Sequence, residues 1–140
     1  MIVVKFGGTS VGDAEAIERT AAIVKGRLDR QPAVVVSALG GATNSLLAIG
    51  EQSAKGHLIG ALRGVETLRD RHFQQCDKLL GTSAEAAEVA EEMSATFDEL
   101  ASRYILSMNL SRPCWLCSAK WALTILRHSI SNVPFRPAAP

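Results

Sequence analysis

Two β-branched runs, Ile2-Val3-Val4 and Ala33-Val34-Val35-Val36-Ser37, stand one helix apart near the start of the chain. Unbroken apolar runs of this kind have the character of buried strands. Between them Ile17, Ala21, Val24 and Leu28 fall on one face of a helix expected from Asp13 to Arg30. Gln31-Pro32 is expected to end that helix. Strand, helix and strand at this spacing make a βαβ unit, with parallel strands and a right-handed crossover. A parallel pair commits the chain to the α/β class.

Each strand leads into a loop of small residues. The first is Lys5-Phe6-Gly7-Gly8-Thr9-Ser10-Val11-Gly12-Asp13, with Asp13 or Ser10 near the helix cap and Asp13, Glu15 and Glu18 in the early turns. The second is Ser37-Ala38-Leu39-Gly40-Gly41-Ala42-Thr43-Asn44, followed by a helix over Asn44 to Ala54. Both loops leave the carboxyl ends of parallel strands, the edge where open α/β sheets bind ligands. A glycine turn opening a helix offers backbone N–H groups to an anion, and Lys5 adds a point charge suited to phosphate. The two loops together read as a phosphate cradle.

Lys55-Gly56-His57 is a linker. A long helix over Leu58 to Leu80 carries Leu58, Leu62, Val65 and Leu68 on one stripe, continued by Phe73, Cys76 and Leu80, and Gly81 stops it. Thr82 and Glu85 suggest a capping box for a last helix, Ser83 to Leu100, with Val89, Met93, Phe97 and Leu100 inward. These two helices are expected to form an antiparallel hairpin beside the sheet.

Composition breaks near residue 100. All 14 acidic residues precede it, whereas Arg103, Arg112, Lys120, Arg127 and Arg136 stand unopposed in the remainder. Residues 1–100 are therefore expected to form the domain. Residues 101–140 are an atypical tail, disordered or read in a shifted frame, with a weak helical pattern over Cys117 to His128. The net charge of +1 argues neither for nucleic acid nor for a membrane surface, and neither is expected as a partner. No apolar run reaches the ~18 residues of a membrane span. Three cysteines and no secretory signal favour the cytoplasm.

Several motifs have plainer readings. The first loop is neither a Walker A loop nor G-x-G-x-x-G. Gly8-Thr9-Ser10-Val11-Gly12 does match a G-x-S-x-G elbow, so a serine hydrolase using Ser10 with His57, His72 or His128 is an alternative. Thr43 or Asn44 would serve equally as an ordinary helix cap. Cys114-Trp115-Leu116-Cys117 is a lone C-x-x-C, short of a zinc site. Cys76 belongs to a helix core, and no metal site is expected in the chain.

The nonapeptide Lys5 to Asp13, with Val34-Val35-Val36-Ser37-Ala38 and Gly41-Ala42-Thr43-Asn44 downstream, resembles the N-terminal signature of aspartate kinases in the amino acid kinase family. The resemblance covers residues 1–100. It implies a three-layer α/β/α sandwich of the amino acid kinase (carbamate-kinase-like) type, here incomplete. It implies transfer of the γ-phosphoryl group of Mg-ATP to the side-chain carboxylate of L-aspartate, giving 4-phospho-L-aspartate for lysine, threonine and methionine biosynthesis. ATP and Mg2+ are the implied cofactors and L-aspartate the implied substrate; family members are usually oligomeric. In that reading Lys5 neutralises charge on the transferring phosphate. Gly7, Gly8, Thr9, Ser10 and Ser37 surround the phosphates, and Thr43 with Asn44 orients the aspartate. Phosphoryl transfer suits such parts, since it needs mostly positioning and charge stabilisation.

Aspartate kinases continue with a glycine-glutamate segment, a later arginine and aspartate, a nucleotide-binding half and regulatory domains. No Asp or Glu follows Glu99 here. A truncated N-terminal piece is therefore expected. The competing expectation is an inactive fragment that folds in part, or that pairs with another chain without turnover.

Overall fold

The computed structural model describes residues 1–106, with side chains through residue 102. The expectations for Cys114-Trp115-Leu116-Cys117, His128, the helix over Cys117 to His128 and the rest of the tail lie outside the described residues.

Strand β1, Ile2–Phe6, pairs in parallel with β2, Pro32–Val36, in a register that sets Ile2 beside Pro32 and Phe6 beside Val36. Helix α1, Ala14–Lys25, connects them, as the periodicity requires. It ends earlier than Arg30. Gly26 donates to Ala22 O at 3.1 Å and Arg27 to Val24 O at 2.9 Å, which tightens the chain into a 3-10 turn over Leu28–Arg30. Gln31 then takes a left-handed conformation, φ 48°, and the strand opens directly at Pro32. Proline is tolerated there because the first strand residue needs no ladder donor.

The strands are not buried on both sides. Val4 and Phe6 of β1, with Val34 and Val36 of β2, face the core, while Val3 is 70% exposed and Val35 49%. Their alternation is that of a sheet covered on one face. Of the three layers in the family sandwich, the described residues contain the sheet and helices on one side of it. The α/β class stands.

Helices α2, Ala42–Ala54, α3, Leu58–Leu80, and α4, Ala84–Leu106, complete the described chain. α3 packs on both α2 and α4, so the expected hairpin is present. α4 runs past Leu100, so one helix crosses the compositional break. Its N-terminus is capped by Ser83, not Thr82: Ser83 Oγ accepts the Ala86 N–H at 3.1 Å. α3 turns a face slightly different from the expected one. Ala61, Val65, Leu68, His72 and Cys76 are buried, whereas Leu58 is exposed, because the face drifts around a helix of this length. Gly81, φ 57°, ends it.

One continuous core joins Phe6, Val11, Ile17 and Val24 to Leu46, Ile49, Val65 and Leu68, and on to Val89, Met93 and Phe97. Each fully buried aliphatic side chain contributes about 1.5–3 kcal/mol. Two contacts set the helix spacing. A methyl at Gly64 would stand 2.7 Å from Ile49 Cγ1, so α2 and α3 touch where Gly64 has no side chain. Across α3 and α4, Arg69 bonds Asp98 at 3.3 Å and Ser94 at 2.8 Å while lying over the Phe73 ring.

Candidate functional site

The site is set by where β1 and β2 end. Because they are parallel, both following loops emerge at one edge of the sheet, and Ser37 N–H donates to Phe6 O at 3.1 Å as the ladder's last rung. After β1 the backbone closes a 3-10 turn over Gly8–Val11, with Ser10 N–H bonded to Gly7 O at 3.0 Å. The N–H groups of Gly8 and Thr9 precede that first bond, so among the described residues they are the turn's free donors.

Two contacts join the loops. The Ser37 hydroxyl faces Gly8, 3.8 Å from where a Cβ would stand. Gly40 lies so close to the first loop that its Cβ would fall 3.0 Å from Gly12 Cα and 3.6 Å from Gly8 O. Thus Gly8, Gly12, Ser37 and Gly40 converge. Lys5, exposed on the uncovered face beside Val35, has no hydrogen-bond or ion-pair partner among the described residues. Gly7 and Thr9 are exposed, and Ser10 is half-buried.

Thr43 and Asn44 enter α2 in its first turn. Gly41, φ 78°, is the N-cap, so neither of them caps the helix. Ala42 N–H is taken by Leu39 O at 2.9 Å and Ser45 N–H by Gly41 O at 3.1 Å. The N–H groups of Thr43 and Asn44 find no acceptor among the described residues. No hydrogen bond ties their side chains to the first loop.

The start of α1 differs from the free anion-binding end that the first loop suggested. Asp13 Oδ1 accepts the Ala16 N–H at 2.8 Å, and Gln75 Oε1, from α3, accepts the Ala14 N–H at 2.8 Å. The protein itself satisfies those donors, and the open ones move to the preceding 3-10 turn. No local signal marks Gln75, since its partner lies 61 residues away.

The elbow motif does not have elbow geometry. A nucleophile elbow is a strained turn, whereas Ser10 sits inside the 3-10 turn and Gln31 is the one described non-glycine residue with positive φ. Ser10 O is also occupied, accepting from the Thr20 hydroxyl at 2.7 Å. His57 bonds Gln52 at 3.1 Å. His72 is buried and donates from Nδ1 to Leu68 O. Burial holds its pKa down to about 4, the Leu68 bond opposing and the Arg71 charge assisting, so the ring is neutral near pH 7. Burial, with help from Asp77, pushes the Cys76 thiol up. Both groups belong to the helical core.

No group of three or more His, Cys, Asp or Glu among the described residues is placed to hold a metal ion. No helix among them is long and apolar enough to cross a membrane.

The model of the amino acid kinase family matches residues 1–127. Aspartokinase 2, chloroplastic, of Arabidopsis thaliana is 43% identical over 51 residues, which cover 36% of this chain and 9% of that protein. Aspartokinase 3, chloroplastic, of the same plant is 30% identical over 93 residues, or 65% of this chain and 16% of that protein. The chain therefore spans no more than 16% of the length of these curated relatives.

Proposed function

The chain belongs to the amino acid kinase family, and on that premise we propose that it carries the phosphate-gripping part of an aspartate kinase. The reaction is transfer of the γ-phosphoryl group of ATP to the side-chain carboxylate of L-aspartate. The observation that carries this reading is the convergence of Gly8 with Ser37 and of Gly12 with Gly40 at one sheet edge.

Each part has a task that its chemistry suits. Lys5, with no carboxylate paired to it among the described residues, offers its charge to the transferring phosphoryl group. Gly7 lets the backbone approach, and Gly8 and Thr9 present N–H donors to phosphate oxygens. The hydroxyls of Thr9, Ser10 and Ser37 are assigned to the same phosphates. Thr43 and Asn44, at the start of α2, are assigned to the aspartate. Mg2+ would come bound to the nucleotide's phosphates and would offset part of their charge beside Lys5.

A coupled ADP-release assay with L-aspartate and Mg-ATP tests the reading. Turnover abolished by Lys5→Ala supports it. If neither protein turns over and neither binds ATP, the reading fails. The exposed Val3 and Val35 favour a second reading, in which the chain pairs with another polypeptide without turnover. ATP binding without turnover, combined with association through that face, is its signature.

A further inference from the structure

Beside the second glycine loop, α2 and α3 line an open groove of about 290 Å3. Its apolar lining is Ala48, Ile49 and Leu68, with Gln52 packed beside Gly60 and Ile49 beside Gly64. The groove lies at the small end of ligand pockets, which span about 300–1,000 Å3. Arg71 is the one charged side chain among the described residues that line it.

That arginine is half-buried and makes no hydrogen bond or ion pair among the described residues. Arg69, two residues earlier on α3, is tied to Asp98 and Ser94. Its guanidinium reaches across to the start of α2, where a methyl at Gly41 would stand 3.3 Å from Nη1. The groove hydroxyls are already committed as donors, Ser45 to Gly41 O at 3.3 Å and Thr67 to Arg63 O at 2.8 Å. One uncompensated cation therefore stands at the end of an apolar trough.

We propose that the α2–α3 groove binds a small carboxylate with an aliphatic body, the carboxylate on the Arg71 guanidinium and the hydrocarbon along Ala48, Gly60 and Gly64. A guanidinium fork matches a carboxylate in two parallel bonds. One positive charge balances a monoanion, whereas a phosphate monoester would leave surplus charge, because Gln52, the other polar side chain of the lining not already committed as a hydroxyl, adds neutral amide donors and no second cation.

Hexanoate titrated into the isotope-labelled full chain, followed by amide shifts, tests the site. The expected result is binding at about millimolar Kd, with the largest shifts at Ala48, Gly60 and Gly64. Arg71→Met weakens it about tenfold, as loss of a charged hydrogen-bonded contact requires, and Arg71→Lys weakens it less. Ala48→Leu, at an exposed position that leaves the core intact, fills the trough and abolishes binding. The proposal is overturned if hexanamide, acetate or hexyl phosphate binds as tightly as hexanoate. It is equally overturned if Arg71→Met keeps the affinity or if the shifts map elsewhere.

Discussion

Gly40 and Gly12 come from different loops, yet a methyl on Gly40 would stand 3.0 Å from Gly12 Cα. Backbone meets backbone here, so the contact has no flexible side chain that could yield. Gly40→Ala should therefore separate the loops by a few tenths of an ångström without disturbing the core. On the phosphate-binding reading its expected effect is a roughly tenfold loss of ATP affinity, about 1.4 kcal/mol, measured by calorimetry. Unchanged affinity would mean that the spacing of the loops does not matter to the ligand.

Gln75→Leu removes the acceptor of the Ala14 N–H in a buried setting. An unmade bond of this kind costs about 1–3 kcal/mol. Asp13→Ala, which removes a cap at the same helix end, should cost about 1 kcal/mol. Urea denaturation of the two variants should rank them in that order.

Acid should weaken the fold through His72. Unfolded, it takes a proton as pH falls through 6.5; folded, it resists until about 4. The unfolded state thus binds more protons across that window. The contribution is fully present above pH 6.5, falls as the pH drops, and is gone below about 4, a loss of about 3 kcal/mol. The difference between the native chain and His72→Gln, followed by urea midpoint from pH 7.5 to 4, should carry this slope. Parallel pH profiles would remove the assignment.

Gly64→Ala sets two effects against each other. Alanine favours a helix interior over glycine by about 1 kcal/mol, but the new methyl would stand 2.7 Å from Cγ1 of Ile49, a buried β-branched side chain with little room to yield. Overpacking of this sort costs about 1–3 kcal/mol, so net destabilisation is expected. Gly64→Val should be worse. A thermal midpoint raised by Gly64→Ala would show that α2 and α3 can move apart freely.

The uncovered sheet face should give the chain solution behaviour of its own. With Val3 and Val35 open to solvent, dye binding to exposed apolar surface and a broad thermal transition are expected. Val3→Thr with Val35→Thr should reduce dye binding and change stability by less than about 0.5 kcal/mol. A sharp single transition for a monomer without dye binding would contradict this.

What the sequence made legible is what rests on local pattern. Ile17, Val24, Val89 and Met93 repeat at helical spacing, and all four are buried. The parallel pairing of β1 with β2 follows from the helix between them. Other features depended on partners far away in the chain. Leu58 fits an apolar stripe yet is exposed, because α2 meets the helix face that carries Ala61 and Gly64 instead. The valines of both strands look equally apolar, and burial alone distinguishes Val4 and Val34 from Val3 and Val35. Within the candidate site, the glycines and hydroxyls were visible in the sequence. That α1 is closed by Gln75, and that Arg71 has no partner among the described residues, was not.

The Gln75 bond to Ala14 also says something about birth order. During synthesis the first strand and helix emerge well before residue 75, and the bond closes a span of 61 residues whose ordering entropy must be met first. Until the third helix docks, the Ala14 N–H has only water to bond, so a nascent chain halted short of residue 75 leaves that donor to solvent.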